Sequence, residues 1–163
     1  MKDNFKQERV NLAAAFRWAA RLNMHEAIAN HFSLAVSDDG SQFLLNPIGM
    51  HFSQICASDL LLIDSNNTET MSQPNAPDAT AWAIHGAMHR NNLHARCILH
   101  VHSKYATILS CLEDKTMKPI DQNTMRFYEK VSIDYDYDGM GLGDEAERLC
   151  TVLGDNSVLL MGN

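Results

Sequence analysis

The chain is short of positive charge. Thirteen Lys and Arg stand against twenty Asp and Glu, a formal net charge of −7. A protein that grips nucleic-acid phosphates needs clustered cations, so no nucleic-acid partner is expected. Long apolar runs are also missing. Stretches such as Leu60–Ile63 are far too short to cross a bilayer, so no membrane insertion is expected. Cysteine is scarce, and Cys56, Cys97, Cys111 and Cys150 form no CxxC pair, which argues against a cysteine metal site. A secretory signal is lacking: Met1–Arg9 is dense in charge, and Arg17 and Arg21 interrupt the apolar stretch behind it. A cytoplasmic location is expected, with reduced cysteines serving as small buried residues. Repeats and low-complexity tracts are absent.

What is present is ordinary globular composition. The 163 residues are 45% hydrophobic and 20% charged, which fits one domain able to fold without disulfides. Eight His are a modest excess and the first hint of metal or acid–base chemistry.

Periodicity divides the chain into short elements. Glu8 to Asn23 predicts an amphipathic helix, with Val10, Ala13, Ala14 and Trp18 on a broad apolar face. Ala29 to Val36 predicts a strand, Asp38–Ser41 a hairpin turn, and Gln42 to Asn46 the returning strand, stopped by Pro47 and Gly49. Another short strand is expected at Leu60–Asp64. Ser65 to Pro77 is a loop, and Asp78 caps a helix from Ala79 to about Asn91. Cys97–Val101 predicts a strand, Ser103–Leu112 a helix, and Val131–Tyr135 a strand. After a loop at Gly139, Gly141 and Gly143 come a helix (Asp144–Leu153) and a last strand (Ser157–Met161). This order predicts an α/β fold with one mostly antiparallel sheet and helices on its faces.

His100-Val101-His102 is the sharpest chemical feature. Residues two apart on a strand point to one side, about 6.5–7 Å apart. Two imidazoles so placed can converge on a divalent metal while Val101 points into the core. The dipeptide alone is weak evidence, but the apolar run Cys97-Ile98-Leu99 puts it at the end of a buried strand. His85 and His89 are four apart on one helix face. Gly86 replaces the Glu that a zinc-protease motif needs, so His85 either faces the sheet or lies near a site, and His89 is expected in solvent. His25, His51 and His94 fall in connections and are expected at the surface. Asn30 either caps a turn or anchors a substrate carbonyl or hydroxyl. The stretch from Gly139 to Gly143 is no nucleotide fingerprint.

The segments Ala29-Asn30-His31-Phe32-Ser33, Phe43 to Gly49, Ala57-Ser58-Asp59-Leu60, Ile84-His85, Cys97 to His102 and Val158 to Asn163, taken in order, resemble the class II aldolase/adducin family. The segments ANHFS, NPIG and Pro119–Gln122 are most similar to its adducin-like branch. The resemblance implies a three-layer α/β/α domain around a mostly antiparallel sheet, often in a homotetramer with sites near subunit boundaries. It implies a divalent metal (zinc first, iron or manganese next) on His100 and His102, and a small-molecule substrate at Asn30, Gly49 and His85. A third His ligand is expected directly after Asn163, as if the C-terminal part of the single domain were missing. The aldolases' proton-carrying Glu corresponds to Ala81, leaving the catalytic residue unknown, and a phosphate-binding Ser corresponds to Ile48. Three functions follow as expectations: a metal-dependent lyase acting on a small carbonyl or hydroxy compound, a non-catalytic adducin-like binding or assembly domain, or a His-ligated iron oxygenase.

Overall fold

The structure is a computed structural model and describes residues 4–136 and 141–162. Gly139 of the glycine-rich loop, and Asn163, lie outside the described residues. In chain order the elements are α1 (Lys6–Arg21), β1 (His31–Ala35), β2 (Gln42–Leu45), β3 (Leu61–Asp64), a 3-10 turn (Thr70–Ser72), α2 (Ala79–Asn91), β4 (Cys97–His100), α3 (Lys104–Ser110), α4 (Gln122–Met125), β5 (Val131–Asp134), α5 (Asp144–Leu153) and β6 (Val158–Met161).

Strands β3, β2, β1 and β4 lie side by side in that order, and every pairing is antiparallel. Alternation along the strands sorts side chains between two layers. Phe32 and Leu44 face α1, where they pack with Leu12, Phe16, Ala19, Phe52, Ile55 and Leu60. The Phe16 ring stacks on Phe32 at 4.8 Å and meets Phe52 edge-on at 4.6 Å. Each such fully buried side chain contributes roughly 1.5–3 kcal/mol of hydrophobic stabilisation. Phe43, Leu45 and Ile63 face the other way, against Ala81 of α2. Behind α2, the residues Ile84, Ala87 and Met88 pack on Ala146, Leu149, Cys150 and Leu153 of α5. The fold is therefore α/β, a mostly antiparallel sheet with helices on both faces.

Three expectations are corrected. β5 and β6 do not join the main sheet but form a separate parallel pair. Parallel strands need a crossover, and α5 supplies it. On α1 the buried positions are Leu12, Ala13, Phe16 and Ala19, whereas Val10 and Trp18 are exposed. Trp18 instead lies under the Arg21 guanidinium, 5.5 Å from the ring centre. Of the four cysteines only Cys150 is buried.

Two local devices hold the layer that carries the site. Asp78 caps α2, its carboxylate accepting from the Ala81 amide at 3.0 Å and the Thr80 hydroxyl at 2.5 Å. Gly40, in the turn between β1 and β2, has φ +71° and sits directly on the end of α2. A Cβ there would stand 2.0 Å from the His89 carbonyl oxygen. Only glycine permits both the left-handed backbone and that approach.

Candidate functional site

The end of β4 faces the start of β1. Their register pairs His31 with His100, and the two imidazoles stack at 4.5 Å with planes 10° apart. His102 follows just past the strand end, and its Nε2 lies 3.0 Å from His100 Nε2. Val101 between them packs against the core. His102 Nδ1 lies 2.9 Å from a carboxylate oxygen of Glu26. A carboxylate oxygen accepts, so His102 Nδ1 donates to Glu26. Burial, followed by the neighbouring His31 and His102, pushes the His100 imidazole down to about 3 and keeps it neutral.

The pair fits a divalent cation as far as two ligands go. Nitrogens 2.0–2.1 Å from a tetrahedral zinc stand about 3.4 Å apart, close to the spacing here. A carboxylate behind a ligating imidazole is the usual support of such sites. Among the described residues no group of three or more His, Cys, Asp or Glu could hold a metal ion.

Beside the pair opens a cleft lined by Ile28, Ala29, Asn30, His31, Asn46, Ile48, Asp78 and Ala81. It is a small depression, with a cavity volume of about 30 Å³. Asn30 is buried at its rim. Its Oδ1 accepts from the Glu26 amide at 2.7 Å and the His102 amide at 3.4 Å, so it fixes the turn, while its Nδ2 is buried without a hydrogen-bond partner among the described residues. For Asp78, burial pushes the carboxyl up, but the Thr80 hydroxyl and Ala81 amide outweigh it and hold it below the ordinary range.

His85 lies behind this wall, fully buried, with Nε2 2.7 Å from His31 Nδ1 and Nδ1 on the Ser33 hydroxyl. It reaches the cleft through His31 and does not line it. His89, expected in solvent, is also buried, with Nε2 2.8 Å from Ser33 Oγ and Nδ1 2.8 Å from the Ala95 carbonyl. The strand's second face, being apolar elsewhere, has drawn this whole helix face inward. Gly49 is exposed in the turn after β2, with φ +78° and open space where a Cβ would stand. Ile48 before it lines the cleft. His25 and His51, both expected at the surface, are half-buried and meet through Nε2 atoms 2.6 Å apart.

Three participants escaped the sequence reading. Glu26 lies in an irregular connection with no motif. His31 and Ser33 do carry a signal, a two-residue strand spacing facing the four-residue helix spacing of His85 and His89.

Residues 10–163 match the Class II Aldolase and Adducin N-terminal domain. The chain belongs to the class II aldolase/adducin family. A crystal structure of an aldolase II superfamily protein from Pseudomonas syringae superposes with a TM-score of 0.86 at 30% identity, covering 100% of this chain and 66% of that one. An adducin-related protein of Schizosaccharomyces pombe is 32% identical over 113 residues, 64% of this chain and 34% of its own length. The 4-hydroxy-3-prenylphenylpyruvate oxygenase/4-hydroxy-3-prenylbenzoate synthase of Streptomyces roseochromogenus is 27% identical over 99% of this chain and 60% of its own. Aldolase-type and adducin-type relatives of this family member are thus about equally similar, and the adducin-like branch is not singled out. The chain spans about 60% of the length of curated relatives that it matches almost end to end.

Proposed function

We propose that this family member binds a divalent metal, zinc first and iron or manganese next, on His100 and His102 and acts as a lyase on a small carbonyl or hydroxy compound. The observation that carries the reading is the convergence of two Nε2 atoms at 3.0 Å with Glu26 behind one of them. A bound cation would supply Lewis-acid polarisation of a carbonyl and its neighbouring hydroxyl. The chain's own residues supply the rest. Asp78 adds negative charge and Ile48 an apolar wall. Metal analysis of the full-length protein, native and with His100→Ala and His102→Ala together, tests the reading. The native protein is expected to retain about one metal per chain and the double variant none, and equal content overturns the proposal.

One observation favours a second reading. Ala81 is 1% exposed and lines the cleft where the family's aldolases place their proton-carrying Glu. A site without that acid suits an adducin-like binding domain, or iron chemistry of the kind the Streptomyces relative's name describes. Oxygen uptake by the iron-loaded protein separates the latter from lyase action. The cytoplasmic location belongs to the same proposal.

A further inference from the structure

Two loops share in walling the cleft. Residues 22–30, between α1 and β1, supply Ile28, Ala29 and Asn30, and residues 46–60, between β2 and β3, supply Asn46 and Ile48. At the strand ends the loops are tied by Asn46, whose Nδ2 donates to the Asn30 carbonyl at 3.4 Å. A second tie lies farther along both loops, where His25 and His51 meet through Nε2 atoms 2.6 Å apart. The protons of that pair can be ordered. The Ser53 amide donates to His51 Nδ1 at 3.2 Å, so in the neutral ring the hydrogen sits on Nε2. His51 then donates to His25 Nε2, which leaves the His25 hydrogen on Nδ1, buried without a partner among the described residues. A first proton gained by either ring ends as a hydrogen on His51 Nδ1 and displaces the Ser53 amide. A second sets N–H against N–H and like charge against like charge.

We infer that the His25–His51 pair is a pH-sensitive latch between the two cleft loops, closed by neutral rings and opened when both take up protons. The two carboxylates on these loops are engaged elsewhere: Glu26 accepts from His102, and Asp59 accepts from the Cys56 amide. Of the nearby cations on α1, Arg21 lies over Trp18 and Arg17 lies against the Cys56 sulfur. The His25 ring stacks on Phe52 at 5.5 Å, and it is lowered by burial first and by His51 next. Its loop is also strained when closed. Asn23 and Ala27, on either side of His25, hold left-handed backbone at φ +53° and +45°. Alanine is disfavoured there, so contacts must keep the loop in place. Ordinary imidazoles protonate near pH 6.5, so the latch is complete above that pH and weakens as pH falls. Opening moves Glu26 and Ile28 with His25, which loosens the cleft wall and the carboxylate behind His102 together. The device does not require the cleft to bind a metal or a substrate.

Amide hydrogen exchange of the full protein, corrected for the intrinsic rate at each pH, tests the latch. Protection in residues 23–30 and 48–54 is expected to fall about tenfold between pH 7.5 and 5.5 for each proton gained on opening. In the double variant His25→Gln, His51→Gln, which cannot protonate at these positions, protection of the same amides should hold steady over that range. Constant protection in the native protein overturns the latch. An equal fall in native and double variant also overturns it, because other histidines then drive the opening. If the double variant does not fold, nitrogen-15 NMR of the native histidine side chains decides. At pH 7.5 His51 is expected to carry its hydrogen on Nε2 and His25 on Nδ1, and both rings should gain protons in the interval where loop protection falls. Other tautomers, or titration outside that interval, overturn the inference. No readout involves a metal, so failure of His100 and His102 to bind a cation registers separately.

Discussion

Glu26 holds His102 from behind: its carboxylate accepts from Nδ1 at 2.9 Å and leaves Nε2 aimed at His100. Glu26 is itself largely exposed, so it adds little to folding. Its effect is expected on the cation instead. Glu26→Ala should weaken zinc binding about 10–100-fold, the usual cost of losing a carboxylate behind a ligating imidazole. The unfolding midpoint should hardly move. Competition with a chelating dye measures the affinity, and an unchanged value would separate Glu26 from the metal.

Gly40→Ala should destabilise the protein by more than about 1 kcal/mol, since it places a Cβ where φ is positive and backbone already stands. The obstruction is the His89 carbonyl at 2.0 Å, with the carbonyl carbon at 2.5 Å. Neither atom can rotate away as a side chain would. Urea unfolding reads the loss as a lower midpoint with the same slope. A midpoint equal to the native one would mean that the hairpin and α2 separate at little cost.

Acid should weaken the fold well above the carboxylate range. His89 is lowered to about 4 by burial first, with Arg96 acting in the same direction and the Ala95 carbonyl opposing. His85 is lowered further by burial and by the imidazoles around it. In the unfolded chain both titrate near 6.5. Below that pH the unfolded state takes up protons that the folded state refuses, so stability is complete above about 6.5 and falls as pH drops toward 4. Each group contributes a slope of up to ~1.4 kcal/mol per pH unit. Urea midpoints measured at pH 7.5, 6 and 5 should decline in that order. A flat series would mean that these imidazoles take up protons as readily in the native state as in the unfolded one.

The sequence made local features legible and left cross-element ones hidden. Pro77 and Asp78 announce the start of α2, and its range agrees with the structure because capping chemistry is local. His100 and His102 were readable because strand alternation alone puts them on one side. The parallel pairing of β5 with β6 was not readable, since a four-residue apolar strand looks alike in either orientation. Trp18 misled because its size suggested a buried face, whereas the smaller Ala13 and Ala19 lie against the sheet with Leu12 and Phe16. His31, Ser33, His85 and His89 lie on two elements, and their register is set by how α2 crosses β1, which no single periodicity encodes.

The flank around α3 and α4 should be covered by other copies of the chain. Leu99, Tyr105, Ile108, Ile120, Met125 and Phe127 are all exposed, and α3 has no buried residue. Exposed apolar surface on this scale usually marks an interface. A homotetramer with its site near a subunit boundary, which the family resemblance implies, would bury it. Light scattering of the full-length protein at micromolar concentration should return four times the chain mass, and a monomer mass would refute the assembly.

Cleavage of ketose 1-phosphates should be absent or very slow, even in excess zinc. The wall of the cleft offers Ala81 and Ile48 where the aldolases of the family have a proton carrier and a phosphate donor. Neither side chain can move a proton or donate a hydrogen bond. Asp78 is the nearest acid on that wall, but its carboxylate is occupied by the Thr80 hydroxyl and the Ala81 amide, which hold it ionised against the opposing effect of burial. Turning it toward a substrate would uncap α2, at a cost of about 1 kcal/mol. His31, which also lines the cleft, is lowered to about 4 and is a weak base. Losing general acid–base help costs on the order of 10²–10⁴ in rate. Against a median enzyme turnover of about 10 s⁻¹, that leaves at most roughly 0.1 s⁻¹. A coupled aldehyde assay on fuculose and rhamnulose 1-phosphates checks the figure. Turnover near the median would show that another group carries the proton, with His31 the first residue to replace.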